Sequence, residues 1–233
     1  MLTPGDPIQK LLRIGHRGAA GHAPENTLAA IQKGIELGVD FVEIDVRLTA
    51  DDVLVVLHDE TLNRTTNGKG RVDRWSLQDL KKVRTGNGEN IPTLAEALHA
   101  IAGKAGLMLE LKVRGSARQA VESVHGAGFE NPVIYASFLH DELTQVRAVE
   151  PEAFLMVLFD RFPRAPVARA MSCRSSHVGL RHDRASHSLV EAFHKAGLLV
   201  FVYTVDSPRD IQQALSIGVD GVISNYPERI HRE

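Results

Sequence analysis

Two apolar segments of the sequence each carry a pair of charged residues two positions apart. FVEIDVRL contains Glu43 and Asp45, and LMLELKV contains Glu110 and Lys112. Side chains of a strand alternate between its two faces, so each pair shares one face and the apolar residues share the other. Helices would cover the apolar face, which directs the charged pairs inward. Because a buried charge without a partner is very costly, these segments predict ion pairs or a bound ion.

Ion pairing within each strand is the plainer of these two interpretations. The first pair could be neutralised by Arg47, and the glutamate of the second strand by Lys112. If the two strands are neighbours, however, three carboxylates share one interior with one ammonium. Oxygen ligands favour a hard ion, Mg²⁺ or Ca²⁺, over zinc, and the single cysteine offers no thiolate cluster. We therefore predict a divalent cation held by Glu43, Asp45 and Glu110.

A third group of polar residues follows the first apolar run of the chain. In RIGHRGAAGHAPENT, His16 and Arg17 lie between Gly15 and Gly18. Glycines there allow a sharp turn and the close approach of a ligand. The position at a strand end beside the carboxylates favours a functional role for the histidine and the arginine. Histidines without such a carboxylate pattern nearby are interpreted as non-ligands: His177, His182, His187 and His194. His22, in the same loop as His16, is interpreted as solvent-exposed or as part of the loop structure.

Alternating helices and strands must position these side chains. Glycines that would close helices precede apolar runs, as Gly38 does before FVEIDVRL, which indicates βαβ units with a parallel sheet. Asn26 or Thr27 would cap the first helix. Strands are predicted at 11–16, 41–48, 107–113, 132–137, 154–159, 177–181, 199–205 and 220–224. Eight such strands favour a (β/α)₈ TIM barrel.

The apolar run VLVVLHD at 53–59 does not fit the parallel scheme. A parallel crossover needs a dozen or more residues, and far fewer separate this run from the strand before it. We therefore predict a hairpin that turns at about 50–51 and sets His58 roughly opposite Glu43. The polar, glycine-rich stretch that follows completes a small insertion at about 50–92, with a short helix near 76–83.

Composition limits the class of protein. The chain of 233 residues, 43% hydrophobic and 24% charged, is expected to form one globular domain over 1–233 without disulfides, and Cys173 has no partner. A net charge of −2 gives no support for nucleic-acid binding. No apolar run reaches about 18 residues, and the N-terminal stretch lacks the apolar core of a signal peptide. We expect a cytoplasmic protein with a small-molecule partner and no stable membrane insertion; a homodimer is compatible with these features.

The motifs resemble those of the glycerophosphodiester phosphodiesterases. They follow in the family's order over about 13–228: GHRGAAGHAPENT, EIDVRLTADDVLVVLHDETLNRTTNGKG, IPTL, LELK, ASF and GVDGVISNYP. The resemblance implies a (β/α)₈ barrel with an insertion after its second strand. It also implies hydrolysis of a glycerophosphodiester to glycerol 3-phosphate and an alcohol, with a divalent cation, Mg²⁺ or Ca²⁺.

Matching positions give each motif residue a role in this sequence. By resemblance the metal ligands are Glu43, Asp45 and Glu110, the acid/base histidines are His16 and His58, and the phosphate-binding residues are Arg17 and Lys112. We expect His58 to be the general acid and His16 the base.

Three motifs depart from the family's pattern. An Asp-Gly is Asp51-Asp52, a Trp-Thr-Val-Asn is Tyr203-Thr204-Val205-Asp206, and a Thr-Asp is Ser224-Asn225. We interpret these changes as lying outside the metal and histidine set. They would alter the wall of the substrate pocket, where we place Tyr203.

Two other functions remain open at this point. Another metal-dependent barrel enzyme, such as a lyase on a phosphorylated sugar, would also use carboxylates at strand ends, but it does not explain the paired histidines. A non-catalytic phosphodiester-binding module would be expected to lose a ligand or a histidine, and this sequence keeps all five.

Overall fold

Eight parallel strands close into a barrel in the computed structural model, which describes residues 11–231. The strands are β1 (Leu12–Gly15), β2 (Phe41–Leu48), β3 (Leu54–Val56), β4 (Gly106–Leu111), β5 (Val133–Ser137), β6 (Phe154–Phe159), β7 (His177–Arg181), β8 (Leu199–Tyr203) and β9 (Gly221–Ser224). All except β3 pair in parallel with their neighbours, and β1 closes the barrel by pairing with both β2 and β9. The predicted (β/α)₈ barrel is confirmed.

Helices connect the barrel strands and cover the outside of the sheet. They are α1 (Leu28–Glu36), α2 (Leu77–Leu80), α3 (Leu94–Ile101), α4 (Ala117–Gly126), α5 (His140–Val149), α6 (Pro166–Ser172), α7 (His187–Lys195) and α8 (Pro208–Ser216). Thr27, one of the two predicted caps, accepts a hydrogen bond from the amide of Ala30 through its Oγ1 at 3.1 Å. Thr93 and Glu96 form a reciprocal capping box at α3. Over the described range, no helix combines the length and apolar character needed to cross a membrane.

The two faces of β2 point into different parts of the molecule, as their alternation predicts. Val42, Ile44 and Val46 are buried in the apolar layer between the sheet and the helices. Phe41 instead packs inside the barrel with Met108 of β4. The inward face of β2 therefore has an apolar side chain at the amino end of the strand and charged side chains toward the carboxyl end, where barrel enzymes carry their sites.

The ends of two strands differ from the prediction. The strand expected at 107–113 ends at Leu111, because its ladder with β2 ends at the pair formed by Val46 and Leu111. Lys112 therefore lies just past the strand, where its amide still donates to Val46 O at 3.2 Å. The strand expected at 199–205 likewise ends at Tyr203. The other boundaries differ by a residue or less.

The run after β2 folds back as a hairpin, as expected from its short connection. β3 is antiparallel to β2, with Val56 opposite Val46. This pairing, if continued, would set His58 opposite Ile44, so the predicted partner Glu43 is wrong by one residue. The reason is the turn, in which Asp52 adopts a left-handed conformation with φ of 56° and lengthens the connection by one residue.

The rest of the insertion packs around a small apolar core of its own. Its helix α2 spans only Leu77–Leu80, not the predicted 76–83. Beyond Leu80 the amides of Lys82 and Val83 bond to carbonyls three residues back, so the chain continues as turns. The core side chains are Val55, Leu57, Leu62, Val72, Leu80, Val83 and Ile91.

The expectation of no signal peptide concerns a stretch that includes residues 1–10, which lie outside the described residues.

The glycines beside His16 serve packing within the protein. A Cβ on Gly15 would lie 2.0 Å from Gly18 O, and one on Gly18 would lie 2.3 Å from the carbonyl carbon of Ala30 in α1. The backbone of the chain itself, and not a ligand as expected, fills the space at both positions. Gly18 also has a positive φ of 89°, so two constraints require glycine there.

We expect Gly18→Ala to destabilise the protein much more than Gly103→Ala. Both glycines have a positive φ, but a Cβ on Gly103 meets nothing within 4 Å. Gly103→Ala should therefore lose about 1 kcal/mol of unfolding free energy from backbone strain, whereas overpacking adds about 1–3 kcal/mol at Gly18. Urea unfolding of both variants measures the difference. Equal losses would show that the loop can move away from α1.

Candidate active site

Three carboxylates meet at the carboxyl end of the barrel. Glu43 and Asp45 come from β2, and Glu110 of β4 is the ladder partner of Asp45. One oxygen of each lies within 4.8 Å of the others, and this is the group of potential metal ligands found among residues 11–231. Glu43 and Asp45 are 4% and 1% exposed. The predicted shared interior of the two strands is therefore present.

Two cations balance part of this charge. Lys112 Nζ lies 2.6 Å from Glu110 Oε1 and 3.5 Å from Asp45 Oδ1. Arg17 Nε lies 3.5 Å from Asp45 Oδ2. Arg47, the partner that ion pairing within β2 would require, instead donates from its Nε to the carbonyl oxygen of His58 at 2.7 Å. The internal pair of the second strand thus forms, and that of the first does not.

Arg17 and Lys112 do not fully compensate the negative charge of the three carboxylates. Glu43 Oε1 and Asp45 Oδ1 are buried and have no hydrogen-bond partner in the described part of the chain. Burial, reinforced by Asp45 and Glu110, raises the pKa of Glu43 well above its usual value. Burial and Asp45 also raise the pKa of Glu110 to about 7. Buried carboxylate oxygens with free lone pairs suit a hard divalent cation, so this donor set fits Mg²⁺ or Ca²⁺.

Asp45 behaves differently because polar groups surround it. Burial raises its pKa, but Lys112 and Arg17 outweigh that effect and hold the pKa below its usual value. Asn26 donates from Nδ2 to Asp45 Oδ2 at 2.8 Å and accepts from the Asp45 amide at 3.2 Å. From the sequence, Asn26 is predicted only as a possible helix cap. Its place in the PENT motif was the available signal for a role in the site.

His16 lies at the end of β1 and is held through one ring nitrogen. Its Nδ1 lies 2.8 Å from Asn225 Oδ1, and Asn225 donates from Nδ2 to Asp206 Oδ2 at 2.7 Å. Two of the departures interpreted as lying outside the histidine set therefore reach His16, and that interpretation is wrong. Burial lowers the pKa of His16 to about 4, and Arg17 adds to this shift. The imidazole is accordingly neutral at neutral pH.

His58 is held by a carboxylate and a network of charges along the rim of the cleft. Its Nδ1 lies 2.7 Å from Asp59 Oδ1. Arg64 bonds at 2.7 Å to both Asp59 and Glu25, and Glu25 accepts from Arg17 at 2.6 Å. Burial lowers the pKa of His58, while neighbouring carboxylates oppose that shift. The insertion is thus joined to the loop after β1 through side chains that the sequence analysis did not single out.

An open cleft leads from the carboxylates to an aromatic wall. Tyr203 lines this cleft with His16, Glu43 and Glu110. Its hydroxyl donates to the carbonyl oxygen of Phe159 at 2.8 Å, and its ring meets Phe138 edge to face at 5.9 Å. Phe138 is 38% exposed and belongs to the ASF motif, but it was not among the predicted site residues.

Comparisons with known proteins agree over nearly the whole chain. Residues 16–229 match the model of the glycerophosphoryl diester phosphodiesterase family. The glycerophosphodiester phosphodiesterase of Caldanaerobacter subterraneus subsp. tengcongensis is 36% identical over 234 residues, which cover 95% of this chain and 96% of that protein.

Solved structures give the same result. An Oleispira antarctica phosphodiesterase, in complex with the product sn-glycerol-3-phosphate, has a TM-score of 0.87 at 30% identity over 93% of this chain and 94% of that one. A glycerophosphodiester phosphodiesterase from Agrobacterium tumefaciens has a TM-score of 0.83 at 30% identity over 94% and 99% of the two chains. Sequence and structure thus agree over nearly the whole chain, and the chain belongs to the glycerophosphoryl diester phosphodiesterase family.

Proposed function

We propose that this protein hydrolyses glycerophosphodiesters to glycerol 3-phosphate and an alcohol, with a divalent cation held by Glu43, Asp45 and Glu110. The main support is that two buried carboxylate oxygens, Glu43 Oε1 and Asp45 Oδ1, have no hydrogen-bond partner among residues 11–231. Two histidines with different hydrogen-bond partners flank the same cluster. A lyase would need no such pair, and a binding module would need neither histidine.

The charge at the centre of the cleft suits a phosphodiester. Three carboxylates face two cations, Arg17 and Lys112, so these five groups together carry one net negative charge when all are ionised and one net positive charge once a divalent ion is added. A phosphodiester carries a single negative charge, which would balance the net positive charge of the centre with the ion bound. The cation, when bound, neutralises charge on the phosphoryl oxygens. Arg17 and Lys112 donate charge-assisted hydrogen bonds to the same group.

The two histidines divide the proton transfers. His16, whose pKa lies at about 4, is neutral and accepts the proton of the nucleophile, either water or the neighbouring glycerol hydroxyl. His58 contacts the carboxylate of Asp59, which stabilises the imidazolium that a general acid needs. The departing alkoxide is a poor leaving group and takes the proton of His58. Tyr203 and Phe138 form the wall that contacts the alcohol.

Release of glycerol 3-phosphate from glycerophosphocholine tests the reaction. We expect a chelator to abolish it and Mg²⁺ or Ca²⁺ to restore it. Glu43→Gln, Asp45→Asn and Glu110→Gln should each lose activity and bind the ion weakly, because each removes an anionic ligand. The exposed Glu130→Gln is the matched control and should keep both properties. Full activity in excess chelator would overturn the role of the cation.

Cation binding should release protons, in a number that depends on pH. The pKa of Glu110 is about 7, so this carboxyl holds a proton at about pH 6 in the metal-free protein. The ion binds the ionised form, so affinity should fall as pH falls, and proton release should diminish as pH rises through about 7. Calorimetry in two buffers of different ionisation enthalpy measures this number. Equal proton release at about pH 6 and 8 would contradict the expectation.

The roles of the histidines should separate on substrates with different leaving groups. His58→Ala should be severely impaired on glycerophosphocholine, by about 10²- to 10⁴-fold, but much less on a nitrophenyl phosphodiester, whose leaving group departs without a proton. His16→Ala should be impaired on both. The measurement is kcat/KM for both variants on both substrates. If only His16→Ala is rescued by the nitrophenyl ester, the two roles are reversed.

A further inference from the structure

A chain of hydrogen bonds extends from His16 to a carboxylate on a different strand end. His16 follows β1, Asn225 follows β9, and Asp206 lies three residues past the end of β8, so three adjacent barrel strands bring them together. The amide of His16 donates to Ser224 O at 2.9 Å, which fixes the approach of β9 to β1. The amide of Val205 donates to Ile223 O at 3.0 Å, which aligns the end of β8 with β9.

The carboxylate of Asp206 determines which way the Asn225 amide faces. Asp206 Oδ1 accepts from the backbone N–H of Asn225 at 2.8 Å and from Ser224 Oγ at 3.0 Å. Its other oxygen, Oδ2, accepts from the side-chain Nδ2 of Asn225 at 2.7 Å. A carboxylate offers acceptors only, so the amide nitrogen must face Asp206. The carbonyl oxygen of Asn225 then faces His16.

The orientation of the amide in turn selects the tautomer of His16. A neutral imidazole has one N–H and one lone pair, and a carbonyl oxygen opposite Nδ1 requires the proton there. Nε2 is left with the lone pair, on a ring that lines the cleft beside Glu43 and Glu110. A general base needs that lone pair available to the nucleophile.

We propose that Asn225, oriented by Asp206, is a positioning residue that holds His16 as the Nδ1–H tautomer and leaves Nε2 free to accept a proton. The tautomer follows from the hydrogen bonds alone. Its consequence for activity rests on the proposed function, in which His16 is the base. Neither Asn225 nor Asp206 contacts substrate in this proposal; both act through His16.

Asp206→Asn tests the proposal with a change of one atom type. The atom at the Oδ1 position must still accept from the backbone N–H of Asn225 and from Ser224 Oγ, so it stays an oxygen. The new side-chain nitrogen therefore takes the place of Oδ2 and faces the side chain of Asn225. Asn225 must then turn its own oxygen toward position 206 and its nitrogen toward His16. Nδ1 of His16 becomes an acceptor, and the proton moves to Nε2. We expect kcat to fall on the order of 10²- to 10⁴-fold, with KM little changed.

The double variant D206N/N225D should restore the original tautomer. The carboxylate introduced at position 225 would accept from the amide introduced at position 206 on one side and from His16 Nδ1–H on the other. Long-range proton–nitrogen correlation spectra of histidine-labelled protein at about pH 8, where an ordinary imidazole is neutral, distinguish the tautomers. Signals that disappear in His16→Gln identify this ring. Recovery of the Nδ1–H pattern together with most of kcat is the expected result.

Asp210→Asn is the matched control. Asp210 lies in the first turn of α8 and accepts from Ser207 Oγ at 2.6 Å, so its substitution should leave the His16 spectrum and kcat unchanged. An Nδ1–H pattern in Asp206→Asn, or no recovery in the double variant, would overturn the proposal. An inverted tautomer with full activity would uphold the positioning by Asn225 but refute His16 as the base.

Discussion

An excess of buried negative charge at the carboxyl end of the barrel is the constraint on which the site depends. Glu43 and Asp45 are almost inaccessible to water, so every charge near them interacts through a medium of low dielectric constant. The loop after β1 supplies two hydrogen-bond donors to this charge. The backbone N–H of Arg17 donates to Glu43 at 2.6 Å, and the side chain of Asn26 donates to Asp45. Lys112 contributes from the end of β4. The elements that border the cluster thus supply donors, yet two buried carboxylate oxygens accept no hydrogen bond from the described part of the chain.

The interior of the barrel makes this arrangement rigid. Below the carboxylates, Phe41, Met108 and Phe201 pack in a dry apolar layer. Close-packed interiors resist displacement, so the carboxylates cannot separate to relieve their repulsion. Burial, together with this repulsion, raises the pKa values of Glu43 and Glu110. Under the proposed function, a divalent ion held by these carboxylates would offset that repulsion.

The features that the sequence predicts best are those governed by local periodicity. Alternation along β2 and β4 places Glu43, Asp45 and Glu110 correctly, because strand geometry leaves only two faces. The hairpin register is wrong by one residue because a single left-handed residue, Asp52, changes the length of the turn. Such a conformation depends on local hydrogen bonds and not on hydrophobic pattern.

The pair formed by Asp206 and Asn225 could not be found from periodicity. These residues lie on different strands, and their contact with His16 exists only because the barrel closes between β9 and β1. In the sequence they are visible as two departures from the family's motifs, an Asp in place of Asn and an Asn in place of Asp. The structure relates the two departures as one exchange. In this chain the carboxylate of Asp206 reaches the imidazole through the Asn225 amide, whereas an aspartate at position 225 would face the ring directly.

His58 stands on an insertion with its own hydrophobic core, whereas His16 belongs to the barrel. Side chains at the rim of the cleft link the insertion to the barrel. Arg64 bonds to Glu25 at 2.7 Å, and Arg47 donates to the backbone carbonyl of His58. Under the proposed function, the proton donor to the leaving group and the base therefore stand on different parts of the fold. Because Tyr203 and Phe138, the wall proposed to contact the alcohol, lie on the barrel, changes within the insertion would shift the proton donor and leave that wall in place.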